Sequence, residues 1–150
     1  MNFDFLSPLF IEFAIDGNNR EKVYLDKDNK INFKDLSLRF EKNKHGVDVF
    51  LKAKTSLVSH VYLSYKIDVT DEDYIFGDAI ERGYTDMGWK KRSPNRQMFW
   101  YVFIKNNETK NLDCFGVNVQ TNSIVSYFID GDLLIVDINT LESVHSLYFL

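Results

Sequence analysis

The sequence predicts an all-β protein, a two-sheet antiparallel β-sandwich formed by a single domain over residues 1–150. Three alanines stand against 13 phenylalanines and 8 tyrosines. Alanine is the best helix former, whereas aromatic side chains suit half-buried strands. Short segments with alternating apolar and polar residues recur, and no 11-residue window has a convincing helical period. Turn pairs such as Asp16-Gly17 and Asp130-Gly131 separate these segments, as in a sandwich.

The first half of the chain contains five predicted strand segments, at residues 8–15, 21–25, 31–40, 47–54 and 61–70. In the third segment the apolar residues change parity, which predicts a bulge or a break near Lys34-Asp35. The fourth segment follows a turn at His45-Gly46 and alternates like an edge strand or a strand with one buried face. The fifth has the clearest alternation and predicts a strand with one wet face.

The second half contains five more predicted segments, at residues 99–104, 112–120, 123–129, 133–138 and 144–150. The first of them, FWYVFI, is too apolar for an edge strand, so we expect it to be buried on both faces. A polar hairpin turn, NNETKN, follows it.

Composition and spacing exclude several classes of function. The net charge is only −4 and no Lys/Arg stripe is present, so we expect no nucleic-acid partner. No apolar run approaches the roughly 20 residues of a membrane span, and the N-terminus lacks a secretory signal. We therefore expect a soluble, cytoplasmic chain with no membrane partner.

Metal and cofactor sites are not predicted either. The three histidines, His45, His60 and His145, never stand at a metal-ligand spacing, and each is predicted as a surface or strand histidine. Cys114 is the single cysteine, and a structural thiol is the favoured interpretation. Because no phosphate-binding loop or nucleophile elbow occurs, we expect no cofactor and assign no catalytic residue.

One stretch, residues 76–101, differs from the strand-like remainder. It contains both tryptophans, one of two prolines and three of seven glycines. The glycines disfavour a helix and suit a long, bent connection, and long ordered loops are often functional. The candidate binding residues of this stretch are Asp78, Glu81, Arg82, Asp86 and Trp89.

These residue types suit carbohydrate recognition. Carboxylates and guanidinium groups form several hydrogen bonds to hydroxyls, and an aromatic ring packs on the apolar face of a pyranose. The alternative is structural. In that case Glu81–Arg82 and Asp86–Lys90 pairs brace the connection, while Trp89 and Trp100 fill the core.

The segment SYKIDVTDEDYIFGDAIERGYTDMGW, followed by MFWYVFI, resembles the N-terminal domain of α-galactosidases of glycoside hydrolase family 36, the melibiase-like enzymes. A pattern close to Leu-Gly-Asp-x-Trp-Glu-Arg-x-Tyr-Gly-Asp-Leu-x-Trp, then Met-Pro-Trp-Tyr, is typical of that domain. The matching residues are Gly77, Asp78, Glu81, Arg82, Tyr84, Asp86, Trp89, Met98, Trp100 and Tyr101.

A later segment, FGVNVQTNSIVSYFID, resembles a strand pair of the same family at Gly116, Val117 and Asp130. Together the two segments cover about residues 61–130. The chain departs from the family pattern where Ile80 replaces a tryptophan, Thr85 replaces a glycine, Asn118 replaces a lysine and Tyr127 replaces a second tryptophan.

The resemblance implies a β-supersandwich domain that precedes a (β/α)₈ catalytic barrel in a longer glycosidase. The nucleophile and the acid/base carboxylate of such an enzyme lie on the barrel. This chain alone is then inactive, its partner is the barrel of the same polypeptide, and Asp78, Glu81, Arg82, Asp86 and Trp89 face the barrel or the rim of a galactoside pocket. Two other hypotheses are a free-standing carbohydrate-binding sandwich and a protein-interaction domain, including a homo-oligomer.

Overall fold

The computed structural model describes residues 4–17, 19–78, 88–93, 96–117, 123–144 and 146–149 and confirms the predicted all-β, two-sheet antiparallel class. None of these residues forms a helix long and apolar enough to cross a membrane. The strands are β1 (Phe10–Ile15), β2 (Asn19–Val23), β3 (Lys30–Phe33), β4 (Leu36–Asn43), β5 (Gly46–Ala53), β6 (Val58–Lys66), β7 (Tyr74–Asp78), β8 (Lys90–Lys91), β9 (Met98–Lys105), β10 (Leu112–Gly116), β11 (Ile124–Asp130), β12 (Leu133–Val144) and β13 (Ser146–Phe149).

The larger sheet has nine strands in the order β2-β1-β6-β12-β11-β9-β7-β8, with β10 also paired to β9. One edge of β9 is shared by two partners. β11 pairs with its first residues, Met98 and Phe99, and β10 pairs with residues 101–105. The opposite edge of β9 pairs with β7. The stretch 76–101 therefore belongs to this sheet through the end of β7, through β8 and through the start of β9.

The smaller sheet has the order β13-β5-β4-β3. Strands β3 and β4 form a hairpin in which Phe33 lies opposite Leu36, and Lys34 adopts a positive φ of 53° in the turn between them. The predicted break near Lys34-Asp35 is confirmed. The apolar residues change from odd to even positions because the chain reverses direction there. The residues before the turn belong to β3 and those after it to β4, and each strand has its own alternation.

A single hydrophobic core fills the space between the two sheets. Phe13 and Leu134 of the larger sheet are fully buried, and Leu36 and Leu38 of the smaller sheet belong to the same buried cluster. Burial of this apolar area, at about 25 cal/mol per Å², is the main stabilising contribution. The arrangement is that of a β-sandwich.

The predicted wet face of β6 is wrong. Tyr62 and Ser64 point away from the core, yet both are buried, and the Cζ atom of Arg20 lies 4.1 Å from the centre of the Tyr62 ring. The physical reason is position in the sheet. Strand β6 lies between β1 and β12, so side chains of both neighbours flank its outer face.

His60 is a strand histidine with a carboxylate partner, since its Nδ1 lies 2.8 Å from Oδ1 of Asp137 on β12. Burial raises the pKa of Asp137, and the hydrogen bond with His60 opposes that rise. The His60 ring also stacks on Tyr62, with 5.4 Å between the ring centres. These side chains satisfy one another and form a polar brace on the outer face.

Candidate functional site

Three aromatic side chains of the stretch 76–101 and one that follows it meet on the outer face of the larger sheet, and we call them the aromatic surface: Phe76, Trp89, Tyr101 and Phe103. Phe76 on β7 lies opposite Phe103 on β9 in the strand register. Residues on either side of this pair, such as Ile75 and Val102, are buried in the core. Because side chains alternate along a strand, Phe76 and Phe103 point outward.

Phe76 is at the centre of this group. Its ring centre lies 5.6 Å from that of Trp89, 6.4 Å from that of Tyr101 and 6.1 Å from that of Phe103. Tyr101 and Phe103 pack edge to face with their centres 5.5 Å apart. These separations lie within the range of favourable aromatic pairs, each worth about 0.5–1.5 kcal/mol beyond area burial. The four rings therefore form one contiguous apolar surface.

Trp89 is the most exposed member, with 45% of its surface accessible, while the other three are half-buried. The alternative that Trp89 is a core filler is therefore wrong. Two further exposed apolar side chains, Tyr74 and Leu112, lie opposite Lys105 on the same face of the sheet. Contiguous apolar exposure of this kind marks a binding surface more often than a scattered hydrophobic residue does.

The backbone of β9 is irregular beside this surface. Gly77 of β7 pairs with Val102, but Asp78 pairs with Phe99, so Trp100 and Tyr101 have no register partner on β7. Trp100 adopts a positive φ of 68°, and its carbonyl accepts a hydrogen bond from the N–H of Val117 at 3.0 Å. A left-handed conformation costs a bulky residue about 1–3 kcal/mol. Bulges that carry such strain are over-represented next to functional sites.

Two basic residues fix the segment that carries Trp89. Lys91 donates from Nζ to the carbonyl and the carboxylate of Glu72, at 2.6 and 3.2 Å. Arg92 pairs with Asp71 and also donates to the carbonyl of Gly131 at 2.5 Å. These contacts connect the segment to the turns at residues 71–72 and 131, and thereby hold Trp89 over Phe76.

The predicted site residues are only partly within the described part of the chain. Trp89 lies on the aromatic surface, and the backbone of Asp78 ends β7 opposite Phe99. Glu81, Arg82 and Asp86 lie outside the described residues. Their association with Trp89 stays a prediction.

Sequence reasoning missed three members of the surface, Phe76, Tyr101 and Phe103. The run FWYVFI was expected to be buried on both faces, but only one face of β9 is fully buried. The alternation of residues within this run could have indicated that one of its faces is exposed. Val102 and Ile104 face the core, which leaves Tyr101 and Phe103 for the opposite face.

Positive charge borders the aromatic surface. Nζ of Lys105 lies 6.0 Å from the Trp89 ring centre, and Nζ of Lys91 lies 4.3 Å from that of Tyr74. Cations over aromatic faces at these distances contribute about 0.5–1 kcal/mol at exposed sites. Within the described ranges, no group of three or more His, Cys, Asp or Glu side chains could hold a metal ion.

Cys114 lies beside this surface, because it pairs with Phe103 in the strand register. Its side chain is exposed. Burial of the surrounding atoms nevertheless raises the pKa of the thiol. The thiol form is therefore favoured over the reactive thiolate, which agrees with a structural cysteine rather than an activated one.

The chain was compared with family profiles, with curated proteins and with solved structures, and no match was found in any of the three comparisons. The class of protein that the observations define is thus a β-sandwich with a half-exposed aromatic surface at β7 and β9.

Proposed function

We propose that this chain is a non-catalytic β-sandwich domain of an α-galactosidase-like glycoside hydrolase, and that its aromatic surface contacts a galactoside at the rim of the sugar pocket. The observation that carries the proposal is the exposure of Trp89 above Phe76. The same residues lie in the segment that resembles the family 36 N-terminal domain.

The chemistry of the surface suits a sugar. One face of a pyranose presents C–H groups that pack on an aromatic ring, while its hydroxyls need hydrogen-bond partners at the edge. Trp89 offers an accessible ring, and Lys105 and the Tyr101 hydroxyl supply polar groups nearby. Asp78, Glu81, Arg82 and Asp86 are the proposed source of further hydrogen bonds.

Cleavage is assigned to another part of the enzyme. A retaining glycosidase requires two carboxyl groups about 5–5.5 Å apart on either side of the scissile bond. In the proposal the strand ends of a (β/α)₈ barrel in the same polypeptide supply them. This domain then shapes the pocket and excludes water without taking part in proton transfer.

Trp89→Ala tests the proposal directly. Titration of the wild-type chain with melibiose is expected to change its tryptophan fluorescence saturably, because the sugar replaces water against the Trp89 ring. The variant is expected to bind at least about tenfold more weakly, equivalent to about 1.4 kcal/mol, because the stacking contact is lost. Since the variant keeps only Trp100, its affinity is measured by calorimetry.

Tyr24→Ala is the matched control, because Tyr24 is an exposed aromatic residue outside the aromatic surface. Its affinity for melibiose should equal that of the wild type. Saturable binding that is unchanged in Trp89→Ala, or no binding at millimolar melibiose, would count against a sugar contact at this surface.

A second candidate is contact with another protein surface, either the barrel or a second copy of the chain. It is favoured by Tyr74 and Leu112, which extend the exposed apolar face beyond the area that one sugar ring covers. Sedimentation of the wild type and of Leu112→Asp distinguishes the two. Self-association that the aspartate abolishes, without any melibiose response, supports the protein interface over the sugar site.

A further inference from the structure

A cavity of about 330 Å³ lies between the two sheets, at the hairpin that joins β4 to β5. Close-packed interiors leave few voids larger than a water molecule. An engineered apolar cavity of about 150 Å³ in another protein binds benzene. Ligand pockets typically begin at about 300 Å³, so this cavity has room for a ring with a short side chain.

The inner part of the cavity is apolar. Val125 and Val136 of the larger sheet lie on one side of it and Val49 of β5 on the other, and all three are buried. Tyr65 also borders this part, but its hydroxyl already donates to the carbonyl of Phe5 at 3.0 Å. These walls suit the hydrocarbon body of a ligand, because apolar surface is transferred there from water.

The mouth of the cavity is polar. Asn43, His45 and Cys114 border it and are exposed to solvent. Oδ1 of Asn43 accepts a hydrogen bond from the backbone N–H of His45 at 2.7 Å and thereby braces the hairpin. Among the described residues that line the cavity there is no lysine or arginine. A ligand that fills the cavity therefore has an apolar end inside and a polar end at the hairpin.

Asp48 contributes the carboxylate of this wall. Its Oδ1 atom is buried, and no described residue donates a hydrogen bond to it. A buried acceptor without a donor carries its full cost of desolvation, and the cost is larger for a charged group than for a neutral one. A ligand that brings a donor to this oxygen recovers that free energy.

The type of donor follows from the acceptor. A hydrogen bond from a cation to a carboxylate is about twice as strong as one between neutral groups. An ammonium group offers several N–H donors and a charge opposite to that of Asp48. An anionic ligand would instead be repelled by Asp48 and would depend on His45 or Asn43 for donors.

We propose that this cavity binds a small amphipathic amine, whose apolar ring or chain lies between the sheets and whose ammonium group pairs with Asp48. The proposal does not depend on the carbohydrate function, because the aromatic surface lies on the outer face of the larger sheet.

Three probes with the same body and different polar ends test the proposal: 4-phenylbutylamine, 4-phenyl-1-butanol and 4-phenylbutanoate. Binding is followed by the methyl NMR shifts of Val125 and Val136, while Leu112 on the outer face reports any binding outside the cavity. The amine is expected to bind at least about fivefold more tightly than the alcohol. The carboxylate should bind more weakly than the alcohol.

Asp48→Asn is the decisive variant, because it removes the charge and keeps the shape of the side chain. The amine should then bind no more tightly than the alcohol, whose affinity should change by less than about twofold. The variant is expected to fold, because Oδ1 of Asp48 has no donor to lose.

Glu41→Gln is the matched control. Glu41 lies opposite Asp48 in the register of β4 and β5, but its side chain is half exposed and pairs with Arg39. The control removes the same charge from the same hairpin and should keep the advantage of the amine.

Four results would overturn the proposal. The first is the absence of methyl shifts at Val125 and Val136 with the amine. The second is binding of the carboxylate as tightly as the amine, which would assign the polar end to His45. The third is an advantage of the amine that persists in Asp48→Asn. The fourth is an equal loss of that advantage in Glu41→Gln, because the general charge of the hairpin would then be the cause.

Discussion

Asp73→Ala is expected to lower the free energy of unfolding by about 1–3 kcal/mol, because two partly buried backbone N–H groups would lose a charged acceptor. Asp73 is 1% exposed and precedes β7. Its carboxylate accepts hydrogen bonds from the backbone N–H groups of Thr70 and Asn107, at 2.8 and 2.7 Å. It thereby joins the start of β7 to the turn between β9 and β10. Denaturant unfolding of the two proteins measures the difference.

The pH dependence of this effect has a defined sign. Burial alone would raise the pKa of Asp73, but the hydrogen bonds from Thr70 and Asn107 lower it below its ordinary value of 3.8. A lowered pKa in the folded state stabilises the fold above the unfolded-state pKa. The difference between wild type and variant should thus be complete at pH 6 and shrink as the pH falls below about 4.

Asp68→Ala is the matched control, because Asp68 is an exposed aspartate five residues earlier on the chain. Its effect should stay within about 0.5 kcal/mol at every pH. An Asp73 variant as stable as this control would contradict the role assigned to the Asp73 carboxylate.

Gly77→Ala is expected to destabilise the fold by about 1–3 kcal/mol through overpacking. A Cβ at position 77 would clash with Cγ of Met98 and would lie 2.5 Å from its Cβ and 2.9 Å from its Sδ. Met98 is 1% exposed and therefore has no space to move into. Thermal unfolding of the variant measures the loss.

A double-mutant cycle with Met98→Ala isolates this contact. Shortening Met98 removes the atoms that clash, so the double variant should be less destabilised than the sum of the two single changes. Gly116→Ala is the control, because a Cβ there meets Trp100 O at an ordinary 3.5 Å. Strict additivity of Gly77→Ala and Met98→Ala would show that the clash is not the cause.

This contact gives a physical reason for the residue types at positions 77 and 98. Gly77 and Met98 lie 21 positions apart in the sequence, and nothing in their types predicts that they touch. Antiparallel pairing of β7 with β9 brings them together. The small residue on one strand accommodates the long side chain on the other.

Local features of the fold were predictable from residue type. Asp16-Gly17 and Asp130-Gly131 were predicted as turns, and the chain does reverse at both places: Asp16, Gly17 and Gly131 adopt positive φ angles, while Asp130 is the last residue of β11. The break near Lys34-Asp35 was also predictable, because the alternation of apolar and polar residues is a property of one short segment of the chain. Pairing between distant strands, such as β1 with β6 and β6 with β12, has no such local signal.

In the candidate site, too, residue type predicted some features and failed to predict others. Trp89 was selected because a loop of glycines and charged residues surrounds it. Tyr101 and Phe103 were missed because an aromatic run looks the same whether it is buried or forms an exposed platform. The left-handed conformation of Trp100 was also out of reach, because bulky residues rarely adopt it.

The proposed galactoside contact involves β7, β9 and Trp89. Its most direct test is a titration of the ¹⁵N-labelled chain with melibiose, followed by amide NMR shifts. Saturable shifts are expected at residues 76–78, 88–90 and 101–103, and none around Tyr24. Shifts confined to any other part of the chain, or no shifts up to millimolar sugar, would contradict it.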